Sequence, residues 1–193
     1  MDLSPLLTQC VPAEVSVQTV QQLIAVESHG DPLALNINIP GKSPRKVHAA
    51  NIAAAVGIIQ DSLFHGWTVD IGLTQMNTRT IAKKGYSFVD MLDPCKNIRA
   101  GALVLKDNYQ AAAISRGPGQ DALKAALSAY NTGSFTGGIL NGYVAHYYPG
   151  TADIVAASHG DPTRSDIGVT YQNVSPAALN NTAIAVSDWG KPP

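Results

Sequence analysis

From Val15 the stretch VSVQTVQQLIAVES sets apolar residues at Val17, Val20 and Ile24, and these steps of three and four mark one face of a helix. The next step of three lands on Glu27. A carboxylate at the end of an apolar stripe either finds a cationic partner or becomes easier to protonate, and a raised pKa suits a general acid near neutral pH. The period alone leaves a second reading open, a Glu at the helix edge, partly solvated, with Ser28 or His29 as its cap. Gly30 and Pro32 supply a stop, so the helix is expected to end near Ser28 or His29.

The other segments follow from the same periods. Leu33 to Lys46, with Pro40-Gly41 and Ser43-Pro44, reads as a loop. An Ala-rich helix follows, with Ile52, Val56, Ile59 and Leu63 on one face and Gly66 as its end. WTVDIGLTQMN reads as a short strand or extended segment, and a brief helix is expected from Thr78 to Lys84. Asp93 caps and Pro94 opens a long amphipathic helix through Ile98, Ala102, Leu105 and Tyr109 to about Ala113. After Gly117-Pro118-Gly119, Asp121 opens another with Leu123, Leu127 and Tyr130 on its face. Gly133 closes it, and a last short helix runs to Tyr148. The expected organisation is an N-terminal segment over 1–11, a mainly helical domain over 12–148 and a flexible polar tail over 149–193.

Composition narrows the function. Of 193 residues 14% are charged, against a usual value near 25%, and 13 basic residues face 14 acidic ones. With no Lys/Arg cluster longer than two, no nucleic-acid partner is expected. No apolar run reaches the roughly 20 residues of a membrane span, and Met1 to Thr8 is too short and not basic enough for a secretory signal. The five histidines lack metal-ligand spacing, and Gly117-Pro118-Gly119 lacks the following Lys-Ser/Thr of a phosphate loop, so neither metal nor cofactor is expected. Ser28 and His29, adjacent on a helix, point about 100° apart and make no catalytic dyad. Cys10 and Cys95 either pair, closing a loop of about 85 residues in an oxidising compartment, or stand as two small buried hydrophobes.

Four fragments occur in order: Glu27-Ser28; Gly72-Leu73-Thr74-Gln75-Met76-Asn77; Asp93-Pro94-Cys95-Lys96-Asn97-Ile98 with Gly101; and Ala129-Tyr130-Asn131-Thr132-Gly133. Together they resemble the soluble lytic transglycosylase family over residues 12–148, and the Asp93–Ile98 run resembles its type IV secretion and conjugation branch. The resemblance implies an all-α, lysozyme-like domain with at most a short β-hairpin, acting on periplasmic peptidoglycan. It implies Glu27 as the single acid and base and Ser28 as an orienting neighbour. Gln75 and Asn131 would hydrogen-bond the sugar, Tyr130 would lie against Glu27, and Met76 is counted with the substrate residues. Thr74 departs from the Met usual at its place, which opens the question of its sugar contact. Trp67, Tyr86, Tyr143 and Tyr147 could stack on sugars, with core packing the safer assumption. The tail could dock secretion components. Asp70 is the best candidate for a second acid, although such a residue more often faces a turn or solvent. Two rivals stand beside this reading: a lysozyme-type hydrolase and a wall-binding component without turnover.

Overall fold

A computed structural model of the chain describes residues 3–148. Helix α2 (Val17–Glu27) starts where Ser16 Oγ accepts a hydrogen bond from Thr19 N at 3.4 Å, and its buried face is Thr19, Val20, Leu23 and Ile24. Val17 stays outside this face at 43% exposure. The stripe is thus rotated toward Leu23 relative to the expected one. Steps of four from Leu23 and three from Ile24 still reach Glu27, so the carboxylate remains at the end of the apolar face.

Between α2 and the next helix the chain forms strands where a loop was expected. Leu35-Asn36-Ile37-Asn38 alternates with period two, which places Leu35 and Ile37 in the core and makes strand β1 (Ala34–Asn38). A hairpin over Pro40-Gly41 returns it as β2 (Arg45–His48), and β3 (Thr68–Ile71) and β4 (Met76–Asn77) complete an antiparallel sheet in the order β2-β1-β3-β4. The fold is mainly helical, as expected, but its β part is a four-stranded sheet rather than one hairpin. Leu35, Ile37, Val69, Ile71 and Met76 are buried on one face. The opposite face carries Asn36, Asp70 and Asn77 in register, with Asn38 opposite Thr68.

Helix α3 (Ile52–Phe64), capped by Asn51 Oδ1 on Ala54 N at 2.9 Å, buries Ala55, Ile59 and Ser62. Of the expected face only Ile59 is fully buried; Ile52 and Leu63 are exposed, because small Ala55 and Ser62 let the helix lie closely on the protein with that side inward. The brief helix α4 (Thr78–Lys83) follows β4 directly, as expected. Helix α5 (Pro94–Arg116) opens with Asp93 Oδ1 accepting from Lys96 N at 2.8 Å and buries Ile98, Ala102, Leu105 and Tyr109, the expected residues.

The N-terminal segment is itself partly helical, α1 (Ser4–Cys10), with Leu7 and Cys10 buried. Cys10 is bonded to Cys95, with Cα atoms 5.2 Å apart, which decides between the two cysteine readings. The chain divides into two compact units that part between Lys106 and Asp107, within α5. The second unit adds α6 (Gln120–Thr132), whose Leu123 and Leu127 are buried and whose end is turned by left-handed Gly133 at φ 74°. A four-residue helix α7 (Gly137–Leu140) and a 3-10 turn (Val144–Tyr147) close it, where one short helix was expected. The expected tail from residue 149 lies outside the described residues. No helix among those described is long and apolar enough to cross a membrane.

Candidate active site

Glu27 is the last residue of α2 and is half-buried. Ser28 follows as the helix cap, buried at 7% exposure; its hydroxyl donates to Leu73 O at 2.7 Å, with Ile24 O at 3.3 Å, and accepts from Gly30 N at 3.2 Å. One side chain therefore fixes the helix end carrying Glu27 to the turn between β3 and β4. His29 at φ 55° and Gly30 at φ 83° then swing the chain toward β1 through left-handed backbone. For His29 this is a strained conformation of the sort found at functional sites.

The β3–β4 turn is held from three directions. Gly72 has φ 73°, and a Cβ on it would come within 2.6 Å of Asn97 Nδ2, so only glycine fits both the backbone and the space. Gln75, at φ 47°, donates Nε2 to Ala34 O at 3.1 Å and Gly72 O at 2.9 Å. Its amide hydrogens thus brace the turn. Asn97, buried at 1% exposure on α5, donates to Ile71 O at 2.8 Å and Met91 O at 2.9 Å while accepting from Thr74 N at 2.8 Å and Thr74 Oγ1 at 2.7 Å.

Thr74 is thereby corrected. It has no exposed surface, its hydroxyl is committed to Asn97, and it fills the space beside Gly101, where an added Cβ would lie 2.4 Å from its Oγ1. It supports the turn from within the core. Met76, at 2% exposure, likewise packs on the buried face of the sheet, opposite Ile71.

Asp70 occupies the opposite, polar face. Its Oδ2 accepts from Asn38 Nδ2 at 2.9 Å and Asn36 Nδ2 at 3.3 Å, and its Oδ1 from Asn77 Nδ2 at 2.7 Å. Burial pushes its carboxyl above the ordinary aspartate range, and the three amide donors offset part of that rise. Neither a turn nor open solvent describes this position. Asn36, Asn38 and Asn97 went unnoticed as functional residues in the sequence; the alternation of Asn36 and Asn38 with Leu35 and Ile37 was the available signal.

Tyr130 and Asn131 belong to the second unit, in the last turn of α6. Tyr130 is half-buried, and Asn131 is exposed with Oδ1 accepting from Asn141 Nδ2 at 3.0 Å. Of the aromatic residues considered for sugar stacking, Tyr147 is buried with its hydroxyl 2.7 Å from that of Tyr143, and half-buried Trp67 stacks on His65 at 4.8 Å.

The arrangement offers one carboxyl at a helix end, fastened to a rigid turn, and a second carboxyl caged on the sheet. The family model for the transglycosylase SLT domain matches residues 11–142, which take in all of these groups. The chain belongs to the transglycosylase SLT family. Similar curated proteins include the type IV secretion system protein virB1 of Brucella abortus, 35% identical over 135 residues, covering 69% of this chain and 55% of that protein. Protein virB1 of Agrobacterium fabrum is 36% identical over 136 residues, with 70% and 54% covered, and protein virB1 of Rhizobium radiobacter is 33% identical over 149, with 77% and 60% covered. The SLT chain thus matches little more than half the length of these relatives. No solved structure matches it. Membership explains the order of the Glu27, Gly72–Asn77 and Tyr130–Asn131 fragments, all inside the matched SLT span.

Proposed function

We propose that this protein is a peptidoglycan lytic transglycosylase, with Glu27 as its acid and base, that opens the periplasmic cell wall for a type IV secretion or conjugation apparatus. The observation that carries the reading is the Ser28–Leu73 hydrogen bond of 2.7 Å, which fixes the position of the Glu27 helix end against the Gly72–Gln75 turn within an SLT-family chain. The virB1 relatives, one of them named a type IV secretion system protein, support the context. Ser28 positions Glu27, and Gln75 offers an acceptor to the sugar. Tyr130 and Asn131 enter as substrate residues on the family likeness, and the segment from 149 as a docking candidate on its composition.

The bond cleaved is the β-1,4 link from N-acetylmuramic acid to N-acetylglucosamine. Protonated Glu27 gives its proton to the leaving oxygen, which departs with the bonding pair. The substrate's N-acetyl group supports the cationic carbon. Glu27, now anionic, takes the proton of the C6 hydroxyl as that oxygen bonds to C1, giving the 1,6-anhydro product and restoring the acid. One carboxyl can serve both steps, whereas most glycoside hydrolases use two.

Digestion of purified sacculi by wild type and Glu27→Gln tests this, with products weighed by mass spectrometry. Wild type should release anhydro-muropeptides, and the folded variant should release none. Near-full activity in the variant would refute the role of Glu27. A product heavier by one water would show a lysozyme-type hydrolase, the reading that the second carboxyl, Asp70, favours. Binding without soluble product would show a wall-binding component.

A further inference from the structure

The core takes one face of the sheet, through Leu35, Ile37, Val69, Ile71 and Met76, while the polar face keeps partial solvent contact. Across that polar face the strand register sets four side chains in one row: Lys46 on β2, Asn36 on β1, Asp70 on β3 and Asn77 on β4. Residues opposite one another in an antiparallel pair share a face, so Lys46 belongs to the polar side and Arg45, opposite Ile37, to the other. Neighbouring strands lie about 4.8 Å apart, which puts the Lys46 backbone roughly 10 Å from that of Asp70. The row is fixed relative to the Glu27 helix end: Gly72 N and Gln75 Nε2 donate to Ala34 O at the start of β1, at 2.9 and 3.1 Å, and Ser28 holds Leu73 in the same turn.

The charge on Lys46 is not spent on the fold. Its nearest structural use would be to serve Asn36 Oδ1, which is buried without a hydrogen-bond partner while Asn36 Nδ2 donates to Asp70, yet Lys46 is exposed. Asp31, a carboxylate at this edge of the sheet, is held by His48, two residues along β2, at 2.6 Å. No carboxylate among the described residues pairs with Lys46. From 42 to 48 the chain carries Lys42, Arg45, Lys46 and His48 and no acidic residue. A charged edge strand also resists pairing with other chains, but Arg45 and Lys46 would share that role alike.

We propose that Lys46 is a specificity residue that takes a carboxylate borne on the glycan held at Glu27. Such a charge distinguishes muramyl chains, with their lactyl and stem-peptide carboxyl groups, from neutral polymers of N-acetylglucosamine. The proposal rests on the reading that Glu27 cleaves peptidoglycan, and names the part of that substrate which the edge of the sheet selects. An ammonium acts as a point charge with three N–H donors, so it suits a carboxylate on a flexible substituent.

Binding to the Glu27→Gln variant, which holds glycan without cleaving it, tests this by fluorescence anisotropy. Three ligands of equal length are compared: a neutral N-acetylglucosamine oligomer, a muramyl glycan stripped of peptide so that its lactyl carboxylates are free, and the same glycan carrying stem peptides. Adding Lys46→Gln should weaken a muramyl glycan by about 3- to 10-fold and change the neutral oligomer by less than about 2-fold. A loss confined to the stripped glycan assigns the lactyl carboxylate, and one confined to the peptide-bearing glycan assigns a peptide carboxylate. Lys46→Arg, which keeps the charge, should retain most of the affinity, and the Lys46→Gln effect should shrink as salt rises. Arg45→Gln, which removes a charge from the other side of the strand, should cost less than about 2-fold.

Unchanged affinity in Lys46→Gln, an equal loss with the neutral oligomer, an equal loss in Arg45→Gln, or no binding of either muramyl glycan would each overturn the proposal. The activity of Glu27 is decided separately. Anhydro-products from wild type without these differences would leave that reading standing and remove Lys46, whereas the differences without any product would do the reverse.

Discussion

Asn97 uses two donors and one acceptor oxygen inside the fold, joining α5 to β3, to the 3-10 turn at Met91 and to Thr74. Asn97→Ala would leave those buried partners without their hydrogen bonds, and is expected to cost about 3 kcal/mol of stability, read by chemical denaturation. Gly101→Ala would drive a methyl group into Thr74 and should destabilise by about 1–3 kcal/mol, measured in the same way. Asp70 predicts a pH dependence. Its folded carboxyl holds a proton to higher pH than the unfolded chain does, so across that window the folded state binds more protons. The stability difference between wild type and Asp70→Asn should therefore fall as pH rises from the ordinary aspartate range through the raised value, then level off. A difference that is flat or rises with pH would contradict it. At this scale the sequence displayed the catalytic candidates but not their orientation. Thr74 and Met76 share a motif with Gln75, yet both are buried, because the tight turn at Gly72–Gln75 sends neighbouring side chains to opposite sides.

Elements were legible where one period dominated. Helices α2, α4 and α5 begin and end within a few residues of the bounds expected for them. Strand β1 was missed because five residues between a Pro-rich loop and a turn give periodicity little length to act on, and its Asn residues read as turn formers. The buried face of α3 was misassigned for a different reason: hydrophobicity ranks Ile52 and Leu63 above Ala55 and Ser62, but close packing against the sheet selects for small size. The cap of α2 gives a modest prediction. Ser16→Ala should cost about 1 kcal/mol in thermal or chemical unfolding, since it removes the acceptor of Thr19 N.

For the whole molecule, the family and the mainly helical class followed from motifs spread over more than a hundred residues, and the pairing of Cys10 with Cys95 was one of two readings that only coordinates could separate. Their separation of 85 residues makes the bond a large constraint on the unfolded chain. Replacing both cysteines by serine should lower stability by about 2–4 kcal/mol, read as a shift in denaturant midpoint.

That bond also has a place in the protein's biogenesis. Cys95 lies two residues from Asn97, so the covalent staple that secures the N-terminal helix meets α5 beside the amide gripping the turn next to Glu27. A chain kept in a thiol-rich compartment would lack this staple, and the turn beside Glu27 would be held least firmly there.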